Sequence, residues 1–417
     1  MAGSPRLTTA PVFKRHDFQK GEDLINGELS ALHRTQARVV RLLYSLVNAG
    51  LAITRRCMWP RSRPRSARNV CIYRIGNIGD ILCALPAMMA VRQTYPEARL
   101  TLLTSPGKSS LPGARELLEG APWLDELLLY LNVDIATFHG RLVLLKELRQ
   151  RSFDVWIELP NDIATLRVTL RNMLLAWLAG ARWAYGWRLN TIDLFVQAQS
   201  EYSDFPNETE RLLKIVGEAG ISTGQPQFPL PLGVPHRQTI DRLLKEHGLG
   251  EASLAAIAPG ARRPANRWPV ERFGQVGNYL VRKGLKVVVL GGSNDAEACR
   301  TLANVIGPDA VNLAGQTTVL ETCELLKRCR LAICNDSGAQ HMAAAVGTPC
   351  VSLFSYRDMR GKWWPHGSAN TVLQKWVPCH TCFLDVCPYD NHCLSLIPVS
   401  EVTERVDQKL GDKVLVS

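Results

Sequence analysis

Nowhere in its 417 residues does this chain hold the roughly twenty consecutive apolar residues that a helix needs to cross a bilayer. The longest apolar tract near the N-terminus, 39–53, is interrupted by Arg41, Ser45 and Asn48. The segment 1–30, polar and mixed in charge, lacks the apolar core and small-residue cleavage site of a secretory signal, and it reads as mobile. A cytoplasmic location is therefore expected. Cysteine usage agrees, because Cys57, Cys71, Cys83, Cys299, Cys323, Cys329, Cys334 and Cys350 are scattered through apolar stretches as in a reducing compartment. The chain also lacks an RRM aromatic set and a C2H2 finger, so no nucleic-acid partner is expected despite a net charge of +11. Acids are absent from 55–68, which holds six arginines. Such a run attracts anionic lipid headgroups or phosphorylated substrates, and charge alone does not choose between them.

With 46% apolar and 21% charged residues, the composition is that of a globular protein, and the length calls for two domains. An N-terminal extension, 1–69, contains a helical stripe over 31–54, with Leu32, Val39, Leu43, Leu46, Val47 and Leu51 on one side. It is read either as a helix packed on the first domain or as a basic amphipathic helix on an anionic membrane surface, with 55–68 as a linker. From residue 70, strands and helices alternate. Strands are expected at 70–75, 99–104, 126–130 and 154–159, with helices at 84–93, 114–119, 135–150 and 163–178. Four prolines among residues 224–236 break the pattern, so domains are placed at 70–230 and 231–417. In the second, strands are expected at 254–258, 286–290, 330–334 and 350–354, with helices at 237–247, 270–283, 295–305, 320–327 and 338–346. Two doubly wound α/β domains follow, with ligands at the carboxyl ends of the strands and between the domains.

Four constellations carry candidate chemistry. Gly76-Asn77-Ile78-Gly79-Asp80 follows the first strand, and its glycines allow a sharp turn and close approach of a ligand. Asp80 then serves as a helix-capping carboxylate or faces a ligand. A dinucleotide fingerprint is excluded, since there is no G-x-G-x-x-G and the second strand ends in Thr104-Ser105 rather than an acid. The loop 259–269 (PGARRPANRWP) places Arg262, Arg263 and Arg267 at a strand's carboxyl end, where guanidinium groups suit phosphate. In 331–345 (LAICNDSGAQHMAAA), a strand closes on Asp336 and a helix opens at Ser337 and Gly338, with His341 in its first turn. The exposed N–H groups suit a diphosphate, His341 can donate to it, and Asp336 suits sugar hydroxyls. Finally, Cys379, Cys382, Cys387 and Cys393 are spaced C-x2-C-x4-C-x5-C, without the paired C-x-x-C units and long loop of a zinc site. Structural thiols or a disulfide are the reading preferred to a zinc site.

Together the motifs RIGNIGDILCALPAMMAVRQTYPEARLTLLT, NRWPVERF, VVVLGGSNDAE, NLAGQTTVLE, NDSGAQHMAAAVGTPCVSLF and the closing IPVSEVTERV resemble glycosyltransferase family 9, the lipopolysaccharide heptosyltransferase family, over about 70–406. The resemblance implies a GT-B fold, two Rossmann-like domains facing each other across a cleft. It implies inverting, metal-independent transfer from a nucleotide-diphosphate sugar to a lipid-linked cell-envelope glycan at the inner membrane's cytoplasmic face. Carried over by position, Asp80 becomes the general base in an acceptor loop with Gly76, Asn77 and Gly79. Asp336 touches the donor sugar, Ser337, Gly338 and His341 meet the diphosphate, and Asp295 and Glu297 are candidates for the ribose. Asn266 stands where many members have a lysine, leaving Arg263 or Arg267 to serve the phosphates. The basic extension also differs from the family's compact members, so the sugar is heptose or a related one. A sugar-nucleotide epimerase or hydrolase, or a non-catalytic binding scaffold, are the competing readings.

Overall fold

A computed structural model describes residues 31–106, 112–161, 164–189 and 205–411, without the side chains of 31–38, 40 and 41. The polar segment 1–30 and residue 163 thus lie outside the described residues.

The chain opens with α1 (Ala31–Met58), which runs four residues beyond its expected end, so Arg55 and Arg56 belong to the helix rather than to a linker. Cys57 is exposed there, unlike the other seven cysteines read as buried. Just after α1, Trp59 is buried and stacks on Trp187 with centroids 5.0 Å apart. Its indole donates to Ala181 O at 2.8 Å. The first domain then alternates β1 (Asn69–Tyr73), α2 (Ile78–Thr94), β2 (Arg99–Thr104), α3 (Ala114–Leu118), β3 (Glu126–Leu129), α4 (Phe138–Gln150), β4 (Val155–Glu158), α5 (Leu166–Leu178), β5 (Trp183–Tyr185) and α6 (Glu208–Glu218). Its five strands are parallel in the order β3-β2-β1-β4-β5. Side chains alternate across β1: Val70 and Ile72 join the cluster under α2, α3 and α6, whereas Cys71 and Tyr73 join the one under α1, α4 and α5.

After the proline-rich segment come α7 (Val234–Glu246), β6 (Leu254–Ala258), α8 (Val270–Arg282), β7 (Lys286–Val289), α9 (Ala296–Ile306), β8 (Ala310–Asn312), α10 (Val319–Lys327), β9 (Cys329–Asn335), α11 (Gly338–Ala345), β10 (Cys350–Phe354), β11 (Thr371–Gln374) and α12 (Val399–Gly411). Six parallel strands run in the order β11-β10-β9-β6-β7-β8. One apolar cluster lies under α8, α9 and α12. The other is continuous with the first domain's α2 face, so the domains share a core where α2 meets α11. The proline segment is fastened to the first domain, with Trp123 Nε1 donating to Pro229 O at 3.1 Å.

Candidate active site

The site is assembled from two helix N-termini that meet head to head. Helix α2 starts at Ile78, six residues before the expected position, because Asn77 caps it and Asp80 turns back on it. Asp80 Oδ2 accepts from Asn77 N at 3.0 Å, the return bond of a capping box, while the Asn77 side chain makes no cap bond. Asp80 is thus the third helical residue and not the cap itself. Gly76 makes this possible: at φ +152° a Cβ would occupy the space of the Asp80 side chain. A Cβ on Gly79 would lie 3.0 Å from His341 Cδ2, and one on Gly338 3.4 Å from Ile78 Cγ2. The small residues therefore set how closely α2 and α11 approach.

Behind Asp80 lies a buried ionic network. Arg74, fully buried at the end of β1, reaches Asp80 Oδ1 at 3.5 Å and Glu208 Oε1 at 3.2 Å, and donates to Pro160 O at 2.8 Å. Glu208, also fully buried, takes two 2.7 Å bonds from Arg211 and a 3.4 Å contact from Lys362 Nζ of the second domain. Burial would push the Glu208 carboxyl up, but the charges of Arg211, Lys362 and Arg74 override this and hold it well below the usual carboxylate range.

From the second domain, Arg262 crosses to the first. The Asn77 amide sits between Pro106 O at 3.1 Å and Arg262 Nη1 at 2.6 Å, and both are hydrogen bonds with its nitrogen toward the carbonyl. Burial and neighbouring Arg263 lower the Arg262 pKa, against the opposing pull of Asp80 and Asp385. Asp336 accepts from Asn266 Nδ2 at 2.9 Å and Gln340 Nε2 at 3.3 Å. Asn266 is itself buried and accepts from Ser355 Oγ at 2.6 Å. Burial and the nearby Asp358 push the Asp336 carboxyl up to about 7, against Arg357, Arg263 and Arg262. Ser337 is the α11 cap, and among the described residues its buried hydroxyl oxygen and Gln340 Oε1 have no hydrogen-bond partner.

The structure thus brings together Gly76, Asn77, Gly79, Asp80, Arg262, Asp336, Ser337, Gly338 and His341. His341 is buried against the first domain, its Nδ1 3.6 Å from Cys83 Sγ, and burial lowers its pKa to about 4 despite Glu208. It is a neutral ring buried at the domain contact rather than a surface histidine. The remaining candidates are held by other partners. Arg263 pairs with Asp385 at 2.8 Å. Arg267 donates to Ala261 O at 3.0 Å and approaches Asp295 at 3.9 Å. It borders a groove of about 380 Å³ with Pro259, Trp268, Val270, Ala298 and Asn391. Asp295 accepts from Gly292 N at 3.1 Å, and Glu297 is exposed on the first turn of α9. The thiols of Cys379 and Cys393 are pushed up to about 11 by burial and by neighbouring thiols. Among the described residues no three His, Cys, Asp or Glu side chains stand together as a metal-ligand set. Sequence reasoning missed Arg74, Glu208, Arg211, Arg357 and Lys362. Of these only Arg74 carried a signal, as the first residue of the RIGNIGD motif.

Comparison with known proteins accords with this geometry. The family model described as glycosyltransferase family 9 (heptosyltransferase) matches residues 141–392. Lipopolysaccharide heptosyltransferase 2 of Escherichia coli K12 is 25% identical over 296 residues, covering 66% of this chain and 80% of the relative. In fold, the chain is similar to a family 9 glycosyltransferase from Veillonella parvula, with a TM-score of 0.68 at 20% identity over 84% of this chain and 100% of that one. It is also similar to the E. coli heptosyltransferase WaaC with ADP, with a TM-score of 0.58 at 16% identity over 82% and 99%. Two parallel-sheet domains that meet through the helices following β1 and β9 are the GT-B architecture of these structures. A family match over more than half its length places the chain in glycosyltransferase family 9, as an enzyme of GT-B fold.

Proposed function

We propose that the enzyme transfers heptose, or a closely related sugar, from ADP-heptose to the core of a lipopolysaccharide or another cell-envelope glycan, with inversion at the anomeric carbon. The observation that carries this reading is the junction of α2 and α11, where Gly79, next to Asp80, lies against His341 and Arg262 of the second domain reaches Asn77. Relatives named as lipopolysaccharide heptosyltransferases, and a related E. coli enzyme seen with ADP-2-deoxy-2-fluoro heptose, support this choice of donor and acceptor.

Inversion by direct displacement needs a base on the acceptor and a cation or donor set on the leaving group. Asp80 Oδ1 takes the proton from the acceptor hydroxyl while its other oxygen stays bonded to Asn77 N. The hydroxyl oxygen bonds the anomeric carbon as the bond to the diphosphate breaks. The leaving ADP is received by the N–H groups of Ser337 and Gly338 and by Arg262, with Arg263 beside it. Asp336, held by Asn266 and Gln340, accepts from donor-sugar hydroxyls. The groove beside Arg267 and Asp295 takes the nucleoside, and no metal is required. The acceptor is presented at the cytoplasmic leaflet, with exposed Leu42 and Leu46 of α1 against the membrane while Leu51 and Trp59 anchor the helix to the domain.

Calorimetry with ADP-heptose, followed by ADP release with and without a lipopolysaccharide-core acceptor, tests the proposal. The expected result is binding with acceptor-dependent ADP release. Equal release without acceptor would make the protein a hydrolase or epimerase, and binding without release a scaffold.

A further inference from the structure

Helices α1, α4 and α5 all cover the face of the first sheet that points away from the second domain. Each buries one side in a common cluster, through Leu51, Leu148 and Met173. The opposite sides are apolar as well. Of the seventeen large apolar side chains that stand exposed among the described residues, twelve belong to these three helices. On α5 they form one stripe, Leu166, Leu170, Leu174 and Trp177, at helical spacing and each more than two-fifths exposed. On α4, Phe138 is 74% exposed. A protein surface rarely leaves so much contiguous apolar area in water.

Charge on the same helices is almost all positive. Helices α4 and α5 carry Arg141, Lys146, Arg149, Arg167 and Arg171 against a single acid, Glu147, which Arg151 engages at 3.2 Å. A groove of about 430 Å³ on α4 has leucine walls, Leu142 and Leu145, with Lys146 and Arg149 at its edge. Acyl chain and anionic headgroup are the two chemistries such a groove accommodates together. Two copies joined through this face would set like charges against each other, whereas an anionic leaflet complements it.

We propose that α4 and α5 join α1 in one membrane-docking face for anionic phospholipid. The sheet then stands between the leaflet and α2, which leaves the Asp80 junction clear of the contact. The proposal enlarges the membrane reading of α1 and rests on it, but not on the identity of the sugar or on the chemistry.

The test uses the full-length chain with vesicles of phosphatidylglycerol mixed into phosphatidylcholine, and of phosphatidylcholine alone. Three variants are compared: Leu166→Ser with Leu170→Ser and Leu174→Ser; Lys146→Glu with Arg167→Glu; and, on α1, Leu42→Ser with Leu46→Ser. Thermal melts and ADP release on a delipidated acceptor should match wild type in each. Partitioning onto anionic vesicles should fall about ten-fold or more for each variant, and wild-type binding should weaken with salt and with loss of phosphatidylglycerol. If only the α1 variant loses binding, the α4–α5 face is refuted and the α1 reading stands. If wild type binds neither vesicle, both fail. If wild type sediments as a dimer that the α5 variant converts to monomer, the face joins two copies and the proposal is overturned.

Discussion

Asn266 shows how one side chain changes meaning once its neighbours are known. In the sequence it is a lysine missing from a phosphate site. In the fold it is a buried amide that accepts from Ser355 and donates to Asp336. Ser355 lies 89 residues away, so no local pattern could pair them. The motif residues themselves were legible, because Gly76, Asp80, Asp336 and Gly338 sit where strand meets helix. Their partners Glu208 and Lys362 were not, since only tertiary packing brings them near. Asp336 gives the residue-scale prediction. Its carboxyl titrates at about 7 in the fold and near 4 in an unfolded chain. A raised carboxyl contributes stability that is complete below its unfolded pKa and is lost as pH rises toward 7. Asp336→Asn should therefore raise the melting temperature relative to wild type at about pH 8 and leave it nearly unchanged near pH 4. Donor affinity should vary across pH 7 in wild type and become flat in the variant, which calorimetry over a pH series reads directly.

At the scale of elements, the strongly patterned strands β2, β6 and β10 matched their expected positions, because buried parallel strands read as short apolar runs. The three-residue strands β5 and β8 were missed, being too short to carry a period. Helix α2 was read short because the glycine loop runs up to Gly79, yet the bond from Asn77 N to Asp80 starts it at Ile78. Helix α6 was missed too, although its first residue ties the domains. Glu208 N donates to Lys362 O at 2.8 Å, and its buried side chain is met by three cations. Removing the charge strands those cations, so Glu208→Gln should destabilise the fold by about 3–5 kcal/mol, measured by urea unfolding. The cysteine loop carries another element-scale prediction. Cys379, Cys382, Cys387 and Cys393 should hold less than one zinc per chain, and transfer should survive EDTA. One tightly held zinc by elemental analysis would make the loop a structural metal site.

For the whole molecule, two doubly wound domains were legible from alternation and from the proline break, since each rests on local periodicity. How the domains meet was not, because their contact depends on Gly79 against His341 and Gly338 against Ile78, pairs more than 250 residues apart. His341, neutral at this contact with a pKa near 4, ties domain docking to pH. Its contribution is present above its unfolded value and is lost as pH falls toward 4. On the proposed mechanism, closure would bring Asp80 of one domain to the leaving-group site of the other and exclude water that would hydrolyse the donor. The most direct measurement is a paired one on Asp80→Asn, a change that keeps a carbonyl oxygen to accept from Asn77 N. Donor affinity should stay within a few-fold of wild type, while acceptor-dependent ADP release should fall about a hundred-fold or more. Release above about a tenth of wild type, with the donor still bound, would contradict Asp80 as the base and the transfer geometry built on it.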